Sequence, residues 1–331
     1  MCGVVLGSVR SPAANCGVYG LRPTSGRVPI TGWLSALPGT DNITPVVGPL
    51  STSIHGVKLF MQVLVDAKPW LVEPTLVPIP WRRELIEYPW VKKLKIGVMW
   101  DDEVVKPHPP VVRALKEVAD KLKTVAGVEV IDWRPYEHEK AWTIAASLYF
   151  IDGAKQEKDL IEASGEPWLP LSKHIIQDNE YCKRLSIEEL WQWQNKRELY
   201  LAEYAKLWNE TASGPDTDDM MDAILCPVGP GAAPKHGTAK WWGYTSQWNV
   251  LDYPAIVFPV TKCDATVDVV DEQYQPRNAR DEANWKTYDP ETYNGVPVSL
   301  QLVCRRYEDE KLIGILQQIQ QSVGLPFVPF P

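Results

Sequence analysis

The sequence predicts an α/β fold, in a single domain over residues 1–331, with a mixed, largely parallel sheet flanked by helices. An apolar strand at 94–99, a helix at 109–126 and a second strand at 128–133 follow one another, and this order implies parallel pairing. Three further apolar runs are typical of buried strands and lie at 222–228, 253–260 and 296–304. The chain has 331 residues, of which 45% are hydrophobic, enough to build one large core.

The first predicted helix lies within the segment PLSTSIHGVKLFMQVLVDAKP. Ser and Thr residues offer a cap, apolar residues recur at helical spacing from Val57 to Leu64, and Pro69 ends the pattern. The following residues, 70–93, are rich in proline and tryptophan and predict a long surface excursion.

The remaining helices carry recognisable end signals. Proline opens the helix at 109–126 and Gly127 follows it, as is typical of helix ends. Two helices are expected after the second strand, and the second of them begins with a capping box formed by Ser186 and Glu189. Its aromatic stripe indicates a core-facing side, and a closing helix is expected within 307–324. The polar stretch at 264–295 predicts a long loop.

Charge and cysteine spacing exclude several classes of protein. The net charge of −8 argues against nucleic acid as a partner, because phosphate binding needs clustered Lys and Arg. The six cysteines show no zinc-ligand spacing, which favours free thiols and a cytoplasmic location. No apolar run is long enough for a membrane span. No metal or nucleotide cofactor is implied, and the expected partner is a small molecule.

The usual catalytic signatures are missing from the sequence. It contains no Gly-x-Ser-x-Gly elbow, no Ser-x-x-Lys, no zinc-binding His-Glu-x-x-His and no glycine-rich nucleotide loop. The five histidines are scattered singly, which is more typical of surface or core positions than of a catalytic base.

The opening loop is the segment with catalytic potential. Gly7 permits backbone angles that other residues avoid, so Ser8 can lie on a tight turn with neighbouring N–H groups facing an oxyanion. Arg10 can hold the loop by charge-assisted contacts, and Pro12 can stiffen it. Gly-Ser is also common in ordinary turns, so a purely structural turn is the alternative.

Five segments together resemble the amidase signature family. Residues 7–29, GSVRSPAANCGVYGLRPTSGRVP, are similar to its core signature. The other four resembling segments are GPLSTSIHGVKLFMQVL, DAILCPVGPGAAPKHG, WNVLDYPAIVFPV and GVPVSLQLVCRRYEDEKLI. The tryptophan-rich middle is most like the fungal general amidases of the acetamidase type. The resemblance implies the amidase signature fold and hydrolysis of carbon–nitrogen bonds in linear carboxamides.

The resemblance also implies a mechanism. Family members use a triad of a nucleophilic Ser, a bridging serine in a cis peptide and a Lys that accepts the proton. Ser8 matches the nucleophile, and Val5, Leu6 and Gly7 match the loop that supplies the oxyanion hole. The serine needs such a base because its hydroxyl is a poor nucleophile near neutral pH.

Two departures from the family pattern affect this expectation. Val4 and Leu6 stand where the family has an acid and a glycine, and the family's Lys and bridging Ser lie upstream of the nucleophile, where this chain has seven residues. The sequence is therefore expected to be the carboxy-terminal portion of an amidase, incomplete on its amino-terminal side, catalytically incomplete alone and prone to self-association through an exposed sheet flank. The alternative is a non-catalytic pseudoenzyme that acts as a binding or scaffolding module.

Four aromatic residues follow a Gly/Pro-rich loop and are candidates for the walls of a substrate pocket. They are Trp241, Trp242, Tyr244 and Trp248. Large aromatic side chains line small-molecule sites, but ordinary core packing explains them as well.

Overall fold

A seven-stranded sheet runs through the protein. The computed structural model describes residues 2–4, 7–35, 39–87, 93–214 and 219–330. In the described residues, nine strands form: β1 (Cys2–Val4), β2 (Tyr19–Arg22), β3 (Val46–Gly48), β4 (Leu50–Ser51), β5 (Leu94–Val98), β6 (Val128–Asp132), β7 (Ala223–Pro227), β8 (Ala255–Lys262) and β9 (Pro297–Val303). The large sheet has the order β4-β2-β8-β9-β7-β5-β6, and β1 pairs with β3 in a separate ribbon.

Twelve α-helices surround the sheet within the same described ranges. They are α1 (Arg10–Cys16), α2 (Ile54–Asp66), α3 (Glu84–Glu87), α4 (Pro109–Lys123), α5 (His138–Tyr149), α6 (Lys155–Ser164), α7 (Pro170–Ile176), α8 (Ile187–Asn209), α9 (Gly243–Leu251), α10 (Ala279–Trp285), α11 (Pro290–Tyr293) and α12 (Asp309–Val323). A short 3-10 helix covers Pro69–Leu71.

The predicted strand–helix–strand unit is confirmed. β5 pairs with β6 in parallel, with Leu94 opposite Val128 and Val98 opposite Asp132. The crossover between them contains α4, which begins at Pro109, where a missing N–H costs nothing.

The prediction that the sheet is largely parallel is wrong. Four of its neighbouring pairs are antiparallel, and only β5 with β6 and β5 with β7 are parallel. The chain between β8 and β9 leaves and returns at the same end of the sheet, where Cys263 N–H donates to Val296 O (2.9 Å) and Gly295 N–H to Cys263 O (2.8 Å). A connection that returns to its starting end makes the two strands antiparallel.

The amino-terminal helix signals are confirmed, but α4 ends at Lys123 with Thr124 as its cap, so the predicted end at residue 126 before Gly127 is wrong. Ser53 caps α2 by accepting from Gly56 N–H, and Ser186 and Glu189 form both bonds of the capping box of α8. Between β6 and α8 the structure has three helices, α5, α6 and α7, where the sequence predicted one. The predicted loop at 264–295 contains the short helices α10 and α11.

Two apolar clusters lie on opposite faces of the sheet. β7 shows this directly, because Ala223 and Leu225 face one cluster while Ile224 and Cys226 face the other. The first cluster includes α2, α4 and α12, and the second includes α5, α8 and α9. The predicted arrangement of a sheet flanked by helices is therefore confirmed.

Candidate active site

The Gly7–Ser8 turn leads directly into α1. Gly7 has a φ of +128°, and a Cβ atom added there would lie 2.5 Å from Thr245 Oγ1 of α9. Ser11 N–H donates to Gly7 O at 2.9 Å and closes the turn. The turn thus requires glycine both for its backbone angle and for its close approach to α9.

Arg10 anchors this turn to α9 from inside the protein. Its side chain is fully buried, and its Nη2 donates to Thr245 O at 2.9 Å and to Asn249 Oδ1. Burial and the neighbouring charge of Arg22 lower the pKa of Arg10 well below its usual range. Pro12 is exposed in the first turn of α1, where a residue without N–H leaves no bond unmade.

Ser8 lies in a cavity of about 440 Å³. Its lining residues come from the turn, from α1, and from the helical region that packs over them: Gly7, Ser8, Ser11, Tyr149, Phe150, Glu157, Ile175, Ile176 and Trp242. The volume is within the range of small-molecule sites. In this described lining, the ionisable side chains are Tyr149 and Glu157.

Both ionisable groups have raised pKa values. Burial raises the pKa of Glu157, and the neighbouring Asp152 adds to this effect while Lys158 opposes it. Burial also raises the pKa of the Tyr149 hydroxyl, with a further contribution from Glu157. These are the shifts expected when a charge is moved out of water.

A larger cavity of about 580 Å³ adjoins the first, because Ser11, Ile175 and Trp242 line both. Trp241 also lines the larger cavity, and Asp102 holds its ring by accepting from Trp241 Nε1 at 2.6 Å. Burial raises the pKa of Asp102 to about 7. The larger cavity also contains His108, whose Nε2 lies 2.9 Å from Asn284 O and whose pKa burial lowers to about 4.

The four candidate aromatic residues divide into two groups. Trp241 and Trp242 line cavities. Tyr244 and Trp248 lie on α9, are fully buried in the protein core and line neither cavity. Tyr244 donates its hydroxyl to Val105 O at 2.6 Å. Residues 244 and 248 share one helical face because they are four positions apart, and that face packs against the core. Their position does not support the expectation that they form pocket walls.

Two predicted contributors to the oxyanion hole, Val5 and Leu6, lie outside the described residues. Gly7, the third, lies within them. For Val4, the structure describes backbone pairing with Val46 in the β1–β3 ribbon.

The cavity contains residues for which the sequence offered no signal. Glu157, Ile175 and Ile176 come from α6 and α7, and Tyr149 and Phe150 come from the end of α5. A lone acid in a polar helix matches no catalytic motif. Only the packing of these helices over the turn brings them to Ser8.

The described ranges contain neither a metal-binding cluster nor a membrane-spanning helix. No group of three or more His, Cys, Asp or Glu side chains there is arranged to hold a metal ion. No helix in those ranges has both the length and the apolar character needed to cross a bilayer.

Comparisons with known proteins point to one family. Residues 5–313 match a family model described as Amidase. A candidate amidase of Schizosaccharomyces pombe, C550.07, is 43% identical over 313 residues, covering 95% of this chain and 56% of the relative. The acetamidase of Aspergillus oryzae is 35% identical over 326 residues, which cover 96% of this chain and 58% of that acetamidase. The chain thus spans little more than half the length of these relatives.

The fold agrees with the sequence relationship. A solved structure of fatty acid amide hydrolase superposes with a TM-score of 0.89 at 30% identity, over 99% of this chain and 56% of that chain. Since the family model matches residues 5–313 and the similarity to relatives extends along nearly the whole chain, this chain belongs to the amidase family.

Proposed function

We propose that this chain carries the nucleophile loop of a carboxamide hydrolase, with Ser8 as the nucleophile. The observation that carries the proposal is the position of Ser8 on a glycine-dependent turn beside a cavity of about 440 Å³, in a chain of the amidase family. Arg10 holds the turn against α9, so the position of Ser8 is coupled to a buried helix. Preorganised placement of this kind is what a nucleophile needs.

In the proposed reaction, Ser8 Oγ attacks the amide carbon. Its proton passes to the base and then to the leaving amine, and the carbon–nitrogen bond breaks to give an acyl-enzyme. Water hydrolyses the ester and restores Ser8. Backbone N–H groups of the loop ending at Gly7 stabilise the oxyanion, a contribution worth about 10²–10³ in rate per donor.

We place the base and the relay serine of the triad outside this chain. The relatives are longer than the region that matches, and the family resemblance puts both groups upstream of the nucleophile. General-base assistance is worth about 10²–10⁴ in rate. We therefore expect no measurable amidase activity from the 331-residue chain alone.

The proposed substrates are small linear carboxamides. The aromatic rings of Trp241 and Trp242 and the volumes of the two adjoining cavities support a small organic ligand. The cytoplasmic location expected from the sequence stays a prediction.

A fluorophosphonate probe tests the function, because labelling requires an activated serine. The tested protein is this chain extended with the upstream segment of the Aspergillus oryzae acetamidase and carrying Val4→Asp and Leu6→Gly. We expect labelling and amide hydrolysis that Ser8→Ala abolishes and that Ser11→Ala, a matched change in the same cavity, leaves in place.

The non-catalytic binding module is the second candidate, favoured by Val4 and Leu6. It predicts that the same extension, made with Val4 and Leu6 unchanged, folds but stays unlabelled. Labelling that survives Ser8→Ala would instead exclude Ser8 as the nucleophile.

A further inference from the structure

The cavity beside Ser8 contains an acidic side chain that is not engaged in an ion pair. Glu157 lies in the first turn of α6, and no Lys or Arg nitrogen in the described ranges lies within 4.0 Å of its carboxylate. Its Oε2 atom is buried and has no hydrogen-bond partner there. An unsatisfied carboxylate oxygen carries a desolvation cost, so this carboxylate is incompletely stabilised by the described residues.

The local charge around Glu157 is negative. Asp152 lies close enough to raise the pKa of Glu157, and it too has a buried oxygen, Oδ1, without a partner. The neighbouring cation, Lys158, directs its Nζ to Gly153 O at 2.9 Å. The described lining of the cavity contains no Lys, Arg or His.

Three aromatic rings complete the lining. Tyr149 and Phe150 meet edge to face, with ring centroids 4.6 Å apart and an interplanar angle of 89°, and Trp242 also lines the cavity. Ring faces attract cations through their quadrupole, and aromatic residues together with a carboxylate are the chemistry that binds ammonium groups.

We propose that this cavity binds the ammonium group of a cationic amine, and that the amides handled at Ser8 carry such a group at the end remote from the amide. The assignment rests on the proposed function of Ser8. Glu157 supplies the charge, the rings supply cation–π contacts, and Ile175 and Ile176 provide apolar surface for the alkyl chain between the two ends. A neutral donor would satisfy Glu157 but would gain nothing from the ring faces.

Calorimetric titration of the full chain tests the assignment without requiring turnover. The probes are 5-aminopentanamide, 5-hydroxypentanamide and pentanamide, which differ only at the remote end. We expect the amine to bind at least about tenfold more tightly than either neutral amide. Glu157→Gln is expected to remove this preference.

Glu162→Gln is the matched control, because Glu162 is exposed on the same helix and does not line the cavity. It should keep the preference for the amine. If Glu157→Gln does not fold, the salt dependence of ligand binding to the unmodified chain tests the proposal instead. Raising the ionic strength should weaken binding of the amine and leave pentanamide unaffected.

The two proposals fail in different ways. Equal affinity for amine and neutral amides, or a preference that survives Glu157→Gln, overturns the ammonium site. Amine selectivity in an extended protein that is not labelled at Ser8 would overturn the hydrolase function and the assignment of the amine as its substrate.

Discussion

Gly7 is the residue at which the backbone of the candidate site is most constrained. Its φ of +128° is one that L side chains rarely adopt, and the space where a Cβ would lie is occupied by Thr245. Strain and overlap therefore act together at this one position, immediately before Ser8.

Gly7→Ala should destabilise the protein by more than the backbone strain alone. A sparsely populated backbone conformation costs an L residue about 1–3 kcal/mol, and overpacking against Thr245 adds about 1–3 kcal/mol. Gly127→Ala is the matched control, because Gly127 has a φ of +79° with nothing within 4 Å of the added Cβ. Urea unfolding of both variants measures the difference. Equal losses in the two would show that the contact with Thr245 is not restrictive.

At the scale of elements, the end of α9 is connected to the sheet through Asp252. Its carboxylate accepts from Arg22 Nη2 of β2 at 2.7 Å, from Ser25 Oγ at 2.6 Å and from Arg306 Nε at 2.7 Å. Burial alone would raise the pKa of Asp252, but Arg22 and the bonds from Ser25 lower it overall. This carboxylate therefore joins the helix that contacts the Gly7–Ser8 turn to β2.

Asp252→Asn is expected to cost about 3 kcal/mol of unfolding free energy, because it leaves the buried Arg22 without a counter-charge. Asn tolerates the left-handed backbone at this position, where φ is +57°, so the change isolates the charge. Asp120→Asn, in an exposed pair with Lys116 on α4, is the control and should change nothing measurable. A loss at position 252 no larger than at position 120 would contradict the structural role of the charge.

At the scale of the whole molecule, two buried histidines make stability depend on pH. Burial lowers the pKa of His108 from 6.5 to about 4 and that of His138 to about 3. The unfolded chain takes up these protons below about pH 6.5 while the folded chain does not, so their contribution to stability falls as the pH falls. Asp102 acts in the opposite direction. Because its pKa is raised to about 7, it contributes to the stability of the folded chain at low pH, and this contribution is lost as the pH rises from about 4 to 7.

The comparison with His108→Gln isolates one of these groups. The unfolding free energy of the unmodified chain, minus that of His108→Gln, should decrease by about 3 kcal/mol between pH 6.5 and pH 4. Chemical denaturation at several pH values measures this difference. His55→Gln, at an exposed position of α2, is the control. Parallel curves for the unmodified chain and His108→Gln would contradict the prediction.

We expect the predicted self-association to involve the outer surface of α2. Leu59 and Val63 are 53% and 58% exposed, and α2 contacts both the edge strand β4 and the 3-10 helix that ends at the exposed Leu71. Together they present apolar area at the flank of the sheet where β4 is the outermost strand among the described residues, and exposed apolar surface at a sheet edge favours association.

Sedimentation velocity should show concentration-dependent association of the chain. The double variant Leu59→Lys/Val63→Lys should reduce it, because two charges cannot be buried in an apolar contact. Leu199→Lys places the same change at an exposed leucine of α8 and should have no effect. A monomer at all concentrations, or association that persists in the double variant, would exclude this surface.

Elements with local signals could be predicted from the sequence. The cap at Ser53, the capping box at Ser186 and the glycine before Ser8 each act within a few residues, so they can be read without knowing the fold. The parallel unit of β5, α4 and β6 was predictable as well, because a helix between two strands leaves little choice of direction.

Three features depend on tertiary packing and could not be predicted from the sequence. They are the relative direction of β8 and β9, the burial of Tyr244 and Trp248, and the presence of Glu157 beside Ser8. A strand that is buried on both faces reads as a continuous apolar run whether its neighbour is parallel or antiparallel. An aromatic residue faces a cavity or the core according to what its helix packs against. Glu157 is separated from Ser8 by most of the first half of the chain, and contacts between such distant positions depend on packing rather than on any local pattern.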